Sequence, residues 1–324
     1  MEKFEVAILD RPSSFLMSYA EESGLHLYKI YEAEDKFSAL SAVRDKIRAI
    51  LSYNLAKPLD ENFLKPFRNL EIIAHHGVGY DAIDATWCGQ NNIIVTHTPD
   101  VLNDEVADLA MGLLLATVRQ LPQADAYLRA GKWQQASFPL TTSLQGRRLG
   151  IFGLGRIGKA IAKRAESFGL SIAYHNRKPV TDCSYAYYSS LIELASVSDI
   201  LLLIAPGTAQ TYQIANAEVF EALGSNGIFI NVARGSLVDE SALIKALKEG
   251  TILAAGLDVY ENEPNSNPNF VNLSNTVLLP HVGSASLPTR QAMARLVVDN
   301  LKSYALGNGP LTPVPETPWL RKVV

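Results

Sequence analysis

Residues 149–160, Leu-Gly-Ile-Phe-Gly-Leu-Gly-Arg-Ile-Gly-Lys-Ala, decide the fold of the chain. A short apolar run, a Gly-x-Gly-x-x-Gly turn and the start of an amphipathic stretch follow one another there without a gap. In this pattern Gly153 allows a tight strand-to-helix turn, Gly155 lets a pyrophosphate approach the backbone, and Gly158 lets helix and strand pack closely. A helix that begins near Arg156 directs free N–H groups at that anion. The stretch therefore predicts a dinucleotide-binding site.

The chain after this stretch alternates between apolar runs and helical segments. We predict strands at 148–152, 171–175, 199–204, 227–232, 252–257 and 276–279. Asn216 and Asp239 are the expected N-caps of helices near 217–223 and 240–249, and Gly250 is the expected end of the second helix. Such alternation indicates a parallel sheet with helices on both faces.

The first part of the chain shows a similar alternation. We predict strands at 4–9, 48–52, 71–75 and 93–96, and a helix at 13–22. After a break at residues 98–100 we predict helices at 104–120 and 121–130, a last helix at 286–304 and an extended arm from residue 307. The apolar middle of helix 104–120 predicts burial on more than one side, including between subunits.

The composition is that of a globular protein with about two domains. The chain has 324 residues, of which 48% are hydrophobic and 19% charged, and its net charge of -4 gives no basic field for nucleic acid. The apolar run 109–118 is far shorter than the ~20 residues that a membrane span needs. The N-terminus lacks the apolar core of a signal peptide, and Cys88 and Cys183 have no metal-ligand spacing. We expect a cytoplasmic protein without a metal site.

The residues after the second strand of the dinucleotide-binding half predict which dinucleotide binds. An acidic residue at the tip of that strand would accept a hydrogen bond from the ribose 2′-hydroxyl and select NAD. Here strand 171–175 is followed by Asn176-Arg177-Lys178, with no carboxylate. An arginine can grip a 2′-phosphate in bidentate fashion. We therefore predict NADP(H).

Three later segments predict the chemistry. They contain Arg234, Glu263 and His281, and each comes just after a predicted strand, at the edge where open α/β sheets bind ligands. A guanidinium, a carboxylate and an imidazole in one crevice suit the reduction of a 2-oxo acid: the arginine for the carboxylate, the histidine for the proton and the glutamate to hold the histidine.

These segments, together with other stretches of the chain, resemble the D-isomer-specific 2-hydroxyacid dehydrogenase family. Within it, the chain is most similar to the NADP-using glyoxylate/hydroxypyruvate reductases, which often carry Asn-Arg where Asn176 and Arg177 stand. The resemblance covers nearly the whole chain and rests on residues 76–84, 103–108, 129–133, 153–158, 231–236, 256–264 and 279–285.

The resemblance implies an α/β fold with two doubly wound parallel-sheet domains. Residues 1–99 and 287–324 would form a flavodoxin-like substrate-binding domain, and residues 100–286 a Rossmann-type dinucleotide-binding domain. It also implies a homodimer formed mainly through the dinucleotide-binding domains.

The resemblance further implies roles for individual residues. Arg234 would bind and polarise the substrate, Glu263 would pair with His281, and His281 would be the acid and base. The backbone around Val78 and Gly79 would hold the substrate carboxylate. The implied cofactor-binding residues are Val106, Gly153, Leu154, Gly155, Arg156, Ile157, Gly158, Asn176, Arg177, Lys178, Pro206, Thr211, Val232, Ala233, Arg234, Asp258, His281 and Gly283.

Two alternatives to a reductase of small 2-oxo acids remain open at this stage. One is a reductase of a bulkier acid, such as an aryl-pyruvate or a 2-keto sugar acid, with the loop at residues 52–58 helping to select the substrate. The other is a dinucleotide-sensing binding protein of the corepressor type, since that branch can keep the same three residues. We interpret the adjacent His75 and His76 as structural.

Overall fold

The protein is described by a computed structural model that covers residues 3–53 and 57–319. The chain forms two compact units. The first comprises residues 1–102 and 286–324, and the second comprises residues 103–285. The assignment of one unit to substrate and the other to dinucleotide stays a prediction at this point.

The first unit is built on a five-stranded parallel sheet with the strand order β2-β1-β3-β4-β5. This is the order of flavodoxin-like folds. Its elements before residue 103 are β1 (Glu5–Ile8), α1 (Ser14–Glu22), β2 (His26–Lys29), α2 (Lys36–Val43), β3 (Ala49–Ser52), α3 (Glu61–Leu64), β4 (Ile72–His75), α4 (Ala85–Gln90) and β5 (Ile94–Thr96).

The second unit contains a seven-stranded parallel sheet. Its first helices are α5 (Asn103–Val118) and α6 (Leu121–Arg129). The elements that follow are β6 (Arg148–Phe152), α7 (Arg156–Ser167), β7 (Ser171–His175), β8 (Ala186–Tyr187), α8 (Leu191–Ser196), β9 (Ile200–Leu203), α9 (Ala217–Leu223), β10 (Ile228–Asn231), α10 (Glu240–Glu249), β11 (Ala254–Leu257), α11 (Pro268–Val271) and β12 (Thr276–Leu278). The strand order is β12-β11-β10-β9-β6-β7-β8. The chain adds β7 and β8 on one side of β6 and then crosses to the other side to add β9 to β12, as in a Rossmann fold.

Both faces of the central strands of the second sheet are buried, which is why these strands are largely apolar. On β9, Leu201 and Leu203 belong to one hydrophobic cluster, and Ile200 and Leu202 belong to the cluster on the opposite face. Helix α5 lies in the second of these clusters through Ala110, Leu113 and Leu114 among others. The burial of α5 is thus accounted for inside its own unit, whereas the sequence also suggested a subunit contact. The predicted α/β class with two doubly wound parallel sheets is confirmed.

Several short elements were not predicted. Strand β2 carries four half-buried residues at the edge of its sheet, and β8 has two residues. Such edge strands lack the continuous apolar run that marks a central parallel strand. The caps were predicted correctly: the Asn216 and Asp239 side chains accept from the backbone N–H groups of Val219 and Ala242, and Gly250 is left-handed.

Helix α12 (Leu287–Ala305) and the tail that follows it complete the first unit. The fully buried Asn300 accepts from the N–H groups of Leu311 and Thr312 and donates to the Thr312 hydroxyl. Thr312 in turn accepts from the N–H of His97 and donates to its carbonyl, at 3.2 and 2.6 Å. The predicted arm is therefore fixed to the end of the first sheet. In the part of the chain described, none of the helices is both long and apolar enough to cross a membrane.

The tail attachment gives a stability prediction. Replacing Asn300 by Leu removes the acceptor of two N–H groups, and we expect a loss of about 1–3 kcal/mol in the free energy of unfolding. Denaturant unfolding of the wild type and the variant measures this loss. The exposed Asn308, replaced by Ala, is the matched control, and an equal effect of the two substitutions would contradict the role given to Asn300.

Candidate active site

The candidate site lies at the carboxyl edge of the second sheet. Neighbouring strands end level with one another, because Phe152 pairs with Leu203, Leu203 with Asn231, and Asn231 with Leu257. The segments that follow these strands therefore leave the sheet at one edge. This is the edge at which open α/β sheets bind ligands, next to the reversal of strand order.

The glycine turn after β6 divides into two packing positions and one open position. Gly153 has φ +106°, and a Cβ there would lie 2.7 Å from the backbone nitrogen of Ala205. A Cβ on Gly158 would lie 2.3 Å from the Gly153 carbonyl oxygen. A Cβ on Gly155 would meet no atom within 4 Å. Gly155 is thus not required by packing within the protein, and this is the position where the sequence predicts that a pyrophosphate approaches.

The start of α7 suits an anion next to this open position. The helix begins at Arg156, directly after Gly155, and its twelve residues give it a partial positive charge at that end. The neighbouring N–H of Leu154 donates to the Asn176 side chain at 2.7 Å, so the loop after β7 supports the glycine turn. These residues fit the phosphates of a dinucleotide, as the sequence predicted.

The three side chains after β7 differ in burial and in their hydrogen bonds. Asn176 is half-buried, and its side-chain oxygen accepts from the Leu154 N–H, so it supports the turn. Its contact with a cofactor stays a prediction. Arg177 and Lys178 are exposed and make neither a hydrogen bond nor an ion pair with the residues described. Two exposed cations next to a dinucleotide turn are available for a phosphate.

His281 and Glu263 form a direct pair. Nδ1 of His281 lies 2.6 Å from Oε2 of Glu263, and the other carboxylate oxygen accepts from the Tyr260 N–H at 3.0 Å. The Glu263 carboxylate therefore fixes the ring and leaves Nε2 of the imidazole for another partner. The side chains of Glu263 and His281 are 34% and 49% exposed, so the ring can be reached from solvent.

The pKa of Glu263 is lowered from its ordinary value of 4.5. Burial acts to raise this pKa, but the hydrogen bond and charge of His281, the N–H of Tyr260 and the charge of Arg234 outweigh it. A lowered pKa keeps the carboxylate ionised throughout the neutral range, and its charge is lost only as the pH falls through the lowered pKa. Glu263 is therefore a permanent negative charge beside the imidazole at neutral pH.

The backbone of His281 is held by Asp258. His281 has φ +54°, in the left-handed region, which costs about 1–2 kcal/mol for a residue with a side chain. Its N–H donates to the Asp258 carbonyl at 2.9 Å, and the two Asp258 carboxylate oxygens accept from Val282 and Gly283 at 2.8 and 2.9 Å. Burial raises the pKa of Asp258 although both N–H bonds oppose this. The structure thus gives Asp258 a supporting role that sequence reasoning missed, and its contact with a cofactor stays a prediction.

Arg234 follows β10 and is held by a side chain that the sequence did not single out. Asn231, which is 1% exposed, accepts from the Ala233 N–H at 3.0 Å and donates to the Arg234 carbonyl at 2.9 Å. The Arg234 guanidinium donates to the Ala233 carbonyl at 2.7 Å. Because its charge also acts on Glu263, the guanidinium lies within electrostatic range of the pair. The three predicted catalytic residues are therefore brought to one place.

The loop of Glu263 is held by Gly235, in the loop of Arg234, and by Glu240, at the start of α10. A Cβ on Gly235 would lie 1.9 Å from the carbonyl carbon of Tyr260, so only glycine fits against this backbone. The buried Glu240 accepts from the N–H of Glu261 at 2.9 Å. Glu240 lies in the first turn of α10, a common place for an acidic residue. Nothing in the sequence indicated that it would bind the N–H of Glu261.

The remaining predicted cofactor residues lie at the same edge. The Thr211 hydroxyl donates to the Pro206 carbonyl at 2.9 Å, which closes the loop after β9. Val232 and Ala233 are buried directly after β10. Near Asp258, a Cβ on Gly283 would lie 3.7 Å from the Val106 side chain. Ile157 is half-buried in the first turn of α7. Their binding roles stay predictions.

The predicted carboxylate-binding loop lies in the first unit, after β4. Val78 and Gly79 are half-buried, and their carbonyls accept from His97 and His75. His76 is buried, and burial together with the charge of Arg290 lowers its pKa to about 4, so its ring is neutral at neutral pH. Its structural role stays a prediction.

Two further sequence predictions concern a loop and metals. Residues 54–56 of the loop at 52–58 lie outside the described residues, so the predicted selection of substrate by this loop stays a prediction. Residues 3–53 and 57–319 contain no group of three or more His, Cys, Asp or Glu side chains that could hold a metal ion.

Comparison with known proteins identifies the family. Residues 111–283 match the family model described as D-isomer specific 2-hydroxyacid dehydrogenase, NAD binding domain. A glyoxylate/hydroxypyruvate reductase A of Arabidopsis thaliana is 45% identical over 314 residues, which cover 97% of this chain and 100% of the relative. A hydroxyphenylpyruvate reductase of Plectranthus scutellarioides is 44% identical over 315 residues, covering 97% and 100%.

A solved structure is similar over the same length. The NADPH-dependent glyoxylate/hydroxypyruvate reductase of Sinorhizobium meliloti, in complex with NADP and malonate, matches with a TM-score of 0.91 at 44% identity and covers 100% of both chains. The resemblance predicted from the motifs is therefore confirmed, and the chain belongs to the D-isomer specific 2-hydroxyacid dehydrogenase family.

Proposed function

We propose that the protein is an NADPH-dependent reductase that converts small 2-oxo acids of the glyoxylate and hydroxypyruvate type to D-2-hydroxy acids. The observation that carries the proposal is the Glu263–His281 pair at 2.6 Å, on the strand edge that also presents Arg234. The names of the Arabidopsis and Sinorhizobium relatives support the same substrate class.

His281 supplies the proton. With Nδ1 bonded to Glu263, Nε2 of the protonated imidazole gives its proton to the 2-oxo carbonyl oxygen, so that the ring becomes neutral and the oxygen becomes a hydroxyl. The ionised Glu263 accepts from Nδ1 and keeps the ring in one orientation. When bound, NADPH supplies the hydride for the carbonyl carbon.

Arg234 stabilises the charge that develops on the substrate, and the backbone after β4 orients the substrate. The Arg234 guanidinium stabilises negative charge as it develops on the substrate oxygen. The N–H groups of Val78 and Gly79 hold the substrate carboxylate, which orients the reacting carbon. Both roles follow the family pattern and rest on the positions of these residues after β10 and β4.

The choice of NADPH over NADH rests on the loop after β7. The glycine turn and the start of α7 hold the pyrophosphate, and Arg177 and Lys178 bind the 2′-phosphate. The tip of β7 offers no carboxylate that would repel this phosphate. The Sinorhizobium reductase, whose structure is in complex with NADP, supports this choice.

Reduction of a bulkier 2-oxo acid is the second candidate. The hydroxyphenylpyruvate reductase of Plectranthus scutellarioides is 44% identical, close to the value for the glyoxylate/hydroxypyruvate relative. Overall identity therefore does not separate the small from the aromatic substrate, and a substrate panel must include both.

We also propose a cytoplasmic homodimer. Helix α6 and the segment after it expose large apolar side chains that a second copy would cover, and cytoplasmic conditions would keep the free Cys88 and Cys183 reduced. The exposed apolar side chains are Leu121, Leu128, Trp133 and Leu140. Sedimentation equilibrium at micromolar concentration tests the dimer.

The function is tested by the absorbance of NADPH with glyoxylate, hydroxypyruvate and phenylpyruvate. We expect turnover with the two small acids and a fall in kcat of about 10²–10⁴-fold in His281→Ala, because general acid catalysis is lost. The Kd of NADPH should change far less than kcat in this variant. A wild type that binds NADPH but reduces no 2-oxo acid would favour a dinucleotide-sensing role instead.

The cofactor assignment is tested by Arg177→Ala. Loss of one charge-assisted contact should weaken NADPH binding by about 1.5–3 kcal/mol and leave NADH binding nearly unchanged. Fluorescence titration with both dinucleotides measures this. Arg129→Ala, which removes an exposed arginine of the same unit, is the control, and equal losses for NADPH and NADH in Arg177→Ala would refute the phosphate contact.

The Glu263–His281 pair predicts a change in pH dependence. Gln in place of Glu263 can still accept from Nδ1 but carries no charge at any pH, whereas the wild-type carboxylate loses its charge when the pH falls through its lowered pKa. The acid limb of the kcat/KM profile for reduction that protonation of Glu263 causes should therefore be absent from Glu263→Gln. Since the pKa of Glu263 is lowered, its charge is present in the wild type across the whole neutral range. Glu261→Gln, on the same loop, should leave the limb in place; an unmoved limb in Glu263→Gln argues against the pair.

A further inference from the structure

The loop after β4 has three successive carbonyls that are each bound by a different donor. The Gly77 carbonyl accepts from the Thr98 N–H at 2.8 Å. The Val78 carbonyl lies 2.8 Å from Nδ1 of His97, and the Gly79 carbonyl lies 3.0 Å from Nε2 of His75. Each of the three peptide planes is thus fixed by one hydrogen bond from outside the loop.

These contacts determine where both histidines carry their protons. A carbonyl oxygen can only accept, so Nδ1 of His97 and Nε2 of His75 must be the protonated nitrogens. The second ring nitrogen of His75, Nδ1, lies 3.0 Å from the Ser52 hydroxyl, which donates to it when the ring is neutral. The two rings therefore have opposite tautomers, each set by its carbonyl.

The two rings are themselves held in place. The ring of His97 lies edge-on to that of Tyr80, with centroids 5.5 Å apart, and its backbone is bound by Thr312. The ring of His75 passes so close to Gly77 that a Cβ there would lie 2.7 Å from Nε2. Gly77 thus leaves the room through which His75 reaches the Gly79 carbonyl.

A fixed carbonyl also fixes the N–H of the next residue. In a trans peptide the C=O and N–H point in opposite directions from one rigid plane. Bonds to the carbonyls of Gly77, Val78 and Gly79 therefore direct the N–H groups of Val78, Gly79 and Tyr80 away from those donors. Within the described residues, the N–H groups of Val78 and Gly79 have no acceptor. Oriented backbone N–H groups are a recurring site for anions.

We propose that His97 and His75 are positioning residues that preorganise this loop for the carboxylate of the 2-oxo acid. The inference rests on the proposed function, in which the Val78 and Gly79 amides bind that carboxylate. His97 acts on the peptide that carries the Gly79 N–H, and His75 acts on the next peptide. Without these donors, the peptides around the flexible Gly79 would rotate, and substrate binding would have to order them.

Matched pairs of substitutions test the proposal. The amide nitrogen of Asn can replace Nδ1 of His97, and that of Gln can replace Nε2 of His75, whereas Leu removes the donor in both places. We expect His97→Leu to raise the KM for glyoxylate and the Ki of oxalate about five- to tenfold, with a much smaller change in kcat. His97→Asn should restore both constants to within about twofold of the wild type, and His75→Leu and His75→Gln should behave in the same way.

Two readouts separate positioning from general damage. The Kd of NADPH should stay unchanged in all four variants, and His26→Gln, at a half-buried histidine on β2 of the same unit, should change none of the constants. Equal losses in the Leu and the Asn or Gln variants, or an unchanged Ki for oxalate in folded Leu variants, would overturn the proposal. A wild type that reduces no 2-oxo acid would refute the proposed function and this inference with it.

A measurement on the unmodified protein covers the case in which the Leu variants do not fold. Long-range ¹H–¹⁵N spectra of ¹⁵N-histidine-labelled protein at pH 8 report which ring nitrogen carries the proton. We expect the Nδ1–H tautomer for His97 and the Nε2–H tautomer for His75, assigned through the Asn and Gln variants. A proton on Nε2 of His97 in place of Nδ1 would overturn the proposal.

Discussion

The chemistry of this protein depends on one buried carboxylate, that of Asp258. It is 1% exposed, and it satisfies the N–H groups of Val282 and Gly283 while its carbonyl accepts from His281. A left-handed backbone at His281 persists because these three bonds over-determine the turn. With the turn held in this way, Nδ1 of His281 meets Glu263 and Nε2 is left for another partner.

The same arrangement recurs around the site: each predicted catalytic or cofactor-binding segment is held by a hydrogen bond from a neighbouring group. Asn231 fixes the backbone of Arg234, the Tyr260 N–H orients Glu263, and Asn176 supports Leu154 in the glycine turn. These groups can contact one another because the parallel strands end level, so that the segments after them leave the sheet at one edge. Preorganisation of this kind lowers the cost of ordering charged groups during the reaction.

The sequence predicts the fold class and the central strands well, because each of these has a local signal, and it points to Arg234, Glu263 and His281 through the segments that contain them. Buried parallel strands are continuous apolar runs, caps such as Asn216 and Asp239 precede their helices, and the glycine turn has fixed spacing. The supports have no such signal. The partners of Asp258 lie 24 and 25 residues away, and the acceptor of His97 lies 19 residues away, so only the folded chain shows which groups meet.

The contact between Gly235 and the backbone of Tyr260 limits how this enzyme can change. Because a methyl group at position 235 would lie 1.9 Å from the carbonyl carbon of Tyr260, the two loops pack backbone against backbone with no room for a side chain between them. The guanidinium loop and the carboxylate loop therefore form one packed block, which any residue other than glycine at position 235 would force apart. Selection for a new substrate would have to leave this block intact and draw its variation from other surfaces of the pocket.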